Sequence, residues 1–152
     1  MGKTISFRRA IQKDKVFLLE LRKLTMNGYL RQAGIETSDN YHLSRIEEFF
    51  EDSNIIEYDR KAIGLIKLSF IGENIHIRQF QIMPDFQGKG IGTRILTLTK
   101  KKAYERGLGV TLNVLLANPA FEMYQRSGFK VMGQNMLEFN MRWYESDCAF
   151  HS

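Results

Sequence analysis

Two hydrophobic periods take turns along this chain. From Thr4 to Ala10 the apolar residues Ile5 and Phe7 occupy alternate positions, which predicts a first strand. The period then lengthens. Phe17, Leu18, Leu21 and Leu24 fall on one helical stripe, so a helix is expected from about Lys15 to Asn27, with Asp14 as its cap and Asn27-Gly28 as its stop. Gly34 and Thr37-Ser38-Asp39-Asn40 supply loop and capping residues ahead of a second helix over Tyr41 to Phe50. Three β-rich runs follow, Asn54 to Tyr58, Ala62 to Phe70 and Ile75 to Ile82. Their connections, Asp59-Arg60-Lys61 and Gly72-Glu73-Asn74, are short enough for an antiparallel meander.

The helical period then returns. Ile91, Ile95, Leu98 and Ala103 form the inner side of a helix from about Gly90 to Arg106, ended by Gly107. Its last turns carry Lys100, Lys101, Lys102 and Arg106, where the helix dipole favours cations. Val110 to Leu116 is a short apolar strand, expected parallel to Ile75 to Ile82 because a helix makes the crossover. Asn118-Pro119 opens another helix, Ser127-Gly128 closes it, and strands over Lys130 to Gly133 and Met136 to Trp143 complete the chain. The expected order is β-α-α-β-β-β-α-β-α-β-β, an α/β (α+β) fold around a mixed sheet, with no internal repeat.

Length and composition narrow this little further. At 152 residues, 43% hydrophobic and 26% charged, the chain reads as one soluble domain over 1–152. Cys148 alone permits no internal disulfide, and no stretch approaches the ~20 apolar residues of a membrane span, so a cytoplasmic protein off the membrane is expected. Met1-Gly2-Lys3-Thr4-Ile5-Ser6 formally fits a myristoylation pattern, but the same residues lead into the first strand. A net charge of +5 suits a polyanionic partner. Lys100 to Lys102 already have a local reason in the dipole and lack interleaved aromatics, which argues against nucleic acid.

The stretch Pro84 to Arg94 places Gly88, Gly90 and Gly92 within five positions, directly ahead of a helix. Backbone N–H groups and a positive dipole end make such a turn an anion site, most naturally for phosphate. Lys89 and Arg94 oppose the dipole there, a placement that a bound polyanion reverses. The spacing is neither that of a P-loop nor that of a dinucleotide fingerprint.

Gln87-Gly88-Lys89-Gly90-Ile91-Gly92, read as Gln-x-x-Gly-x-Gly, resembles the acyl-CoA loop of the GNAT superfamily of N-acetyltransferases. Asn118-Pro119-Ala120, Met123-Tyr124 and Ser127-Gly128-Phe129 are similar to that family's second signature. The resemblance implies a GNAT-like mixed central sheet with a parallel, splayed strand pair at the cofactor site. It implies transfer of an acetyl group from acetyl-CoA to a primary amine of a small molecule or peptide, by direct attack in a ternary complex; a homodimer is compatible with it. A catalytically silent acyl-CoA-binding sensor is the alternative that fold alone leaves open.

By the same resemblance, the pyrophosphate would sit on the backbone N–H groups of Gly88, Lys89, Gly90, Ile91, Gly92 and Thr93, beside Gln87. The pantetheine arm would pair with backbone from Phe80 through Ile82 to Met83, and Asn118, also a helix cap, would make a polar contact on the other wall. Tyr124 takes the place of the proton donor to the departing thiolate, and a backbone N–H near Ile82 that of the oxyanion donor. Counting back from Ile82, alternate residues Phe80, Arg78 and His76 share a face, and His76 is the candidate base, since imidazole titrates near neutrality. Arg78 would lower the protonated fraction of His76, or could instead bind an acidic group of the substrate. Gln79 and Gln81 fall on the opposite face and must find hydrogen bonds if buried.

No metal site is expected, because His42, His76 and His151 are far apart in sequence and the carboxylates lack ligand spacing. The resemblance further implies that the segment between the first and second strands forms part of the acceptor site, here Leu24 to Asp52, which holds Tyr29, Arg31, Tyr41 and His42. Its acidic residues, including Glu36, Asp39, Glu47, Glu48, Glu51 and Asp52, either attract a cationic amine or form a solvated helix face.

Overall fold

The computed structural model describes residues 4–145, so Gly2, Lys3, Cys148 and His151 lie outside the described residues. The elements are β1 (Ile5–Arg9), α1 (Lys15–Gln32), α2 (Asp39–Glu47), β2 (Ser53–Tyr58), β3 (Lys61–Ile71), β4 (Asn74–Ile82), α3 (Ile91–Glu105), β5 (Gly109–Leu115), α4 (Ala120–Arg126), β6 (Lys130–Gln134) and β7 (Glu138–Trp143). Their order is the one the patterning predicts. Hydrogen bonding arranges the strands as β1-β2-β3-β4-β5-β7-β6, with β4 and β5 parallel as the helical crossover requires. The chain forms two compact units, one made of the chain to Leu68 with Gln79–Gly88, the other of Ser69–Arg78 with the chain from Lys89 onward.

In the first unit, Ala10, Leu18, Leu21, Ile46, Ile55 and Leu65 pack into one core. Three sequence expectations for α1 fail, the first being Leu24, expected on the stripe that faces the core and 54% exposed. The helix passes through Asn27-Gly28 and ends at Gln32, where Gly34 (φ 73°) lets Gly34 N–H reach Arg31 O (3.1 Å) and Ile35 N–H reach Leu30 O (2.8 Å). An internal glycine costs about 1 kcal/mol, whereas burying a leucine such as Leu30 (2% exposed) returns about 1.5–3 kcal/mol, so the helix continues. Asp14 makes no cap bond to α1; its carboxylate accepts from Ile11 N–H (2.7 Å) and Arg8 (2.9 Å) instead. The cap of α2 is as expected from the loop residues, with Ser38 Oγ accepting from Tyr41 N–H (3.1 Å).

Lys67, on β3, is 1% exposed, and its ammonium donates to the carbonyls of Arg45 (3.0 Å), Ile46 (3.2 Å) and Glu48 (2.6 Å). A buried charge demands such partners, and the negative end of α2 supplies them. Nearby on the same strand, a Cβ added to Gly64 would collide with the Gln81 carbonyl oxygen and stand 3.2 Å from Ile82 Cα. Gly64→Ala is therefore expected to cost about 1–3 kcal/mol, read as a lower denaturant midpoint at unchanged m-value.

In the second unit, α3 and α4 end as the sequence anticipates. Gly107 (φ 68°) and Gly128 (φ 92°) close them, with Leu108 N–H on Ala103 O (2.8 Å) and Phe129 N–H on Tyr124 O (3.0 Å). The lysine run divides. Only Lys102 lies in the last turn of α3, while the Lys100 ammonium donates to Ser127 O (2.6 Å) at the end of α4, so it caps a helix other than its own. β7 starts at Glu138 rather than Met136, because Asn135 Oδ1 takes the N–H groups of Leu137 and Glu138 (2.8 Å each) and makes a turn there.

Candidate active site

The glycine loop has the conformation that its composition demands. Gly88 and Gly90 have φ of 73° and 79°, and a Cβ added to either meets no heavy atom within 4 Å. Gly90 is the N-cap of α3 and brings no side chain to it, and the first turn holds no acidic residue. The first intrahelical bond runs from Arg94 N–H to Gly90 O (3.1 Å), so the N–H groups of Ile91, Gly92 and Thr93 have no partner within the helix. α2, by contrast, starts with the Ser38 cap and Asp39 in its first turn. The α3 terminus thus keeps both its donors and its dipole for an anion. Lys89 and Arg94 are exposed beside it.

Of the residues assigned to the pantetheine arm, Phe80, Ile82 and Met83 belong to the first unit and are half-buried. Met83 N–H is committed to Ile63 O (2.7 Å), and the Gln87 side-chain amide donates to Ile82 O (2.8 Å). A ligand pairing with Ile82 must share that carbonyl or displace the Gln87 amide.

Asn118 and Tyr124 frame α4 in the second unit. Asn118 Oδ1 accepts from Ala120 N–H (2.9 Å), so the capping role is realised and the amide nitrogen remains for other use. Tyr124 is 6% exposed, with its ring edge-on to Phe129 at 5.8 Å. Burial pushes its hydroxyl pKa well above the usual tyrosine value, so near neutrality the group stays protonated and has a proton to give.

His76, also in the second unit, is half-buried on β4, directly paired with Thr111 of β5, and its Nδ1 lies 2.7 Å from Thr111 Oγ1. Burial first, and the Arg78 charge second, lower its pKa from the ordinary value, which keeps the imidazole neutral at pH 7. A base role selects the tautomer in which Nδ1–H donates to Thr111 and Nε2 carries the lone pair. Arg78 Nε donates to Ser69 Oγ (2.6 Å). No hydrogen bond among the described residues joins His76 to Tyr124.

The alternation expected along β4 holds: from Asn74 to Ile82 its residues are half-buried and buried in turn, so Gln79 and Gln81 face away from His76 and Arg78. Gln79 Nε2 donates to Arg45 O (2.8 Å), the carbonyl that Lys67 also binds. Gln79 and Gln81 are buried; Gln79 finds a partner for its amide nitrogen, and among the described residues both Oε1 atoms lack a side-chain or backbone donor.

In the expected acceptor segment, His42 is fully buried. Its Nδ1 accepts from Arg22 Nε (3.0 Å) and its Nε2 contacts Asn27 Oδ1 (2.6 Å). Burial lowers the pKa of His42, helped by the Arg22 charge, and burial also pulls Arg22 down to about 10. Sequence reasoning missed Arg22. Its signal was position: Arg22 lies four residues after Leu18 and next to Leu21, on the stripe that faces the core.

A seven-stranded mixed sheet with a parallel pair, together with a helix entered through glycine and left without a side-chain cap, makes an α/β fold. The chain belongs to the family described as Acetyltransferase (GNAT) domain, which matches residues 26–145. It is 34% identical over 119 residues to the spermidine N(1)-acetyltransferase of Escherichia coli K12, which covers 71% of this chain and 60% of that protein. The chain thus spans under two thirds of the curated relatives it matches. In fold it is similar to the PaiA N-acetyltransferase of Thermoplasma acidophilum in complex with coenzyme A, with TM-score 0.72 and 24% identity over 93% of this chain and 99% of that one. It is also similar to Arabidopsis thaliana Naa50 bound to a bisubstrate analogue, with TM-score 0.64 and 15% identity over 91% and 97% of the two chains.

Proposed function

We propose that this chain is an acetyl-CoA-dependent N-acetyltransferase acting on a primary amine. The observation that carries the reading is the start of α3, where Gly88 and Gly90 turn the backbone and no side chain or carboxylate competes for the N–H groups of Ile91, Gly92 and Thr93. That terminus fits the pyrophosphate of coenzyme A, with Lys89 and Arg94 as flanking cations. Asn118 and the backbone of Phe80 to Met83 are assigned to the remainder of the same molecule.

The neutral amine nitrogen bonds to the acetyl carbonyl carbon, the carbon–sulfur bond breaks, and N-acetyl amine and CoA thiol leave. Tyr124, held protonated, gives the departing sulfur its proton or a hydrogen bond. His76 takes the proton that the amine loses, directly or through water.

Calorimetry with acetyl-CoA and release of free thiol across polyamines, amino acids and peptide N-termini test the reading together. Absence of acetyl-CoA binding would end the cofactor assignment; binding without thiol release from any amine would favour an acyl-CoA sensor. The His76 role has its own signature. Protonated imidazole cannot accept a proton, so kcat/KM should fall with pH through a value below 6.5, and that limb should vanish in His76→Gln. An acid limb unchanged in the variant removes His76 as base.

A further inference from the structure

Within the second unit, both helices lie on one face of the sheet. Lys102 and Arg106 of α3 stand over Phe70 (5.5 and 5.6 Å to the ring centroid), Lys100 over Trp143 (5.6 Å), and Phe121 of α4 packs on Phe139 (4.6 Å). Strand alternation sends the neighbours of these residues, Ser69, Arg142 and Asn140, to the opposite face. Register extends that face across the sheet: His76 pairs with Thr111, Thr111 with Arg142, and Asn113 with Asn140. Arg78 joins it through Ser69. The face is mostly polar, with Leu115 opposite Glu138 as its buried apolar member, Asn113 and Asn140 exposed, and His76, Arg78, Thr111 and Arg142 partly so.

Its charge is one-sided. Arg78 and Arg142 supply guanidiniums, Lys130 pairs with Arg142 on the neighbouring strand, and the carboxylate that register places here among the described residues is Glu138. Glu138 lies four residues along β7 from Arg142, which is about 13 Å at ~3.3 Å per residue. Both guanidiniums are held in place, Arg78 by Ser69 Oγ (2.6 Å) and Arg142 by the Tyr144 ring (3.7 Å to the centroid). Arg142 Nε is buried with no partner among the described residues, close to Gly109, where an added Cβ would meet it at 3.4 Å. Fixed guanidiniums lose little entropy on meeting a carboxylate, and they repel a polyamine.

We propose that this face receives the acceptor and selects amines that also carry a carboxylate, with Arg78 and Arg142 as specificity-determining residues. The proposal rests on the acetyltransferase reading for its acceptor, but its test does not depend on turnover. Affinities of the CoA-saturated protein for N-acetylalanine and for N-acetylalaninamide are compared by calorimetry, in the wild type, Arg78→Gln and Arg142→Gln. The carboxylate is expected to bind about tenfold tighter than the amide, and one substitution at least should remove most of that gap. Equal affinities in the wild type, or a gap that survives both substitutions, overturns the proposal. Thiol release with alanine, alaninamide and spermidine is read in parallel. A clear preference for spermidine overturns the carboxylate proposal and leaves the acetyltransferase reading intact. A retained affinity gap with no thiol release sinks the acetyltransferase reading and leaves the carboxylate site standing.

Discussion

Tyr124→Phe is expected to lower turnover about 100-fold while leaving the affinity for acetyl-CoA within about twofold, the pattern of a lost proton donor. The substitution removes one oxygen from a side chain that is 6% exposed and keeps the ring that packs on Phe129. Folding should therefore change little, and steady-state kinetics beside calorimetry separates chemistry from binding. Because burial raises the Tyr124 pKa, ionisation of this hydroxyl should not limit the rate at neutral or mildly alkaline pH. An unchanged turnover number would remove Tyr124 from the mechanism and leave it a core residue of α4.

Gly90→Ala should weaken acetyl-CoA binding by about 100-fold, a loss comparable to removing about one charge-assisted hydrogen bond. At φ 79° an L-residue is strained by about 1–2 kcal/mol, which the chain relieves by rotating the turn that aims the α3 N–H groups. Gly107→Ala, at the other end of α3, separates strain from ligand binding. Gly107 has φ 68° and the same open surroundings, with no heavy atom within 4 Å of an added Cβ. Both variants should lose similar stability in denaturant, and only Gly90→Ala should lose the ligand. Equal affinity losses in the two would move the pyrophosphate seat away from this turn.

Local requirements were readable because they act over a few residues. Gly88, Gly90, Gly107 and Gly128 all adopt the positive φ that their positions suggested. Asn118 caps as expected because an amide oxygen two residues ahead of a helical N–H needs no tertiary help. Where a distant partner competes, the local reading fails. Asn27-Gly28 looks like a stop, but Asn27 is bound to His42 fifteen residues on and Leu30 is buried, so α1 continues. Lys100 looks like a dipole partner for α3 and is bound instead to a carbonyl twenty-seven residues away.

The amino-acid sequence by itself determined the element order, the parallel β4–β5 pair and the uncapped glycine entry to α3, since periodicity, crossover handedness and backbone dihedrals are set by neighbouring residues. Only the tertiary structure decided which side chains share a sheet face. The pairing of His76 with Thr111 and the meeting of Arg142 with that row depend on register between strands up to about seventy residues apart, and a shift of one residue would turn every one of those side chains to the other face.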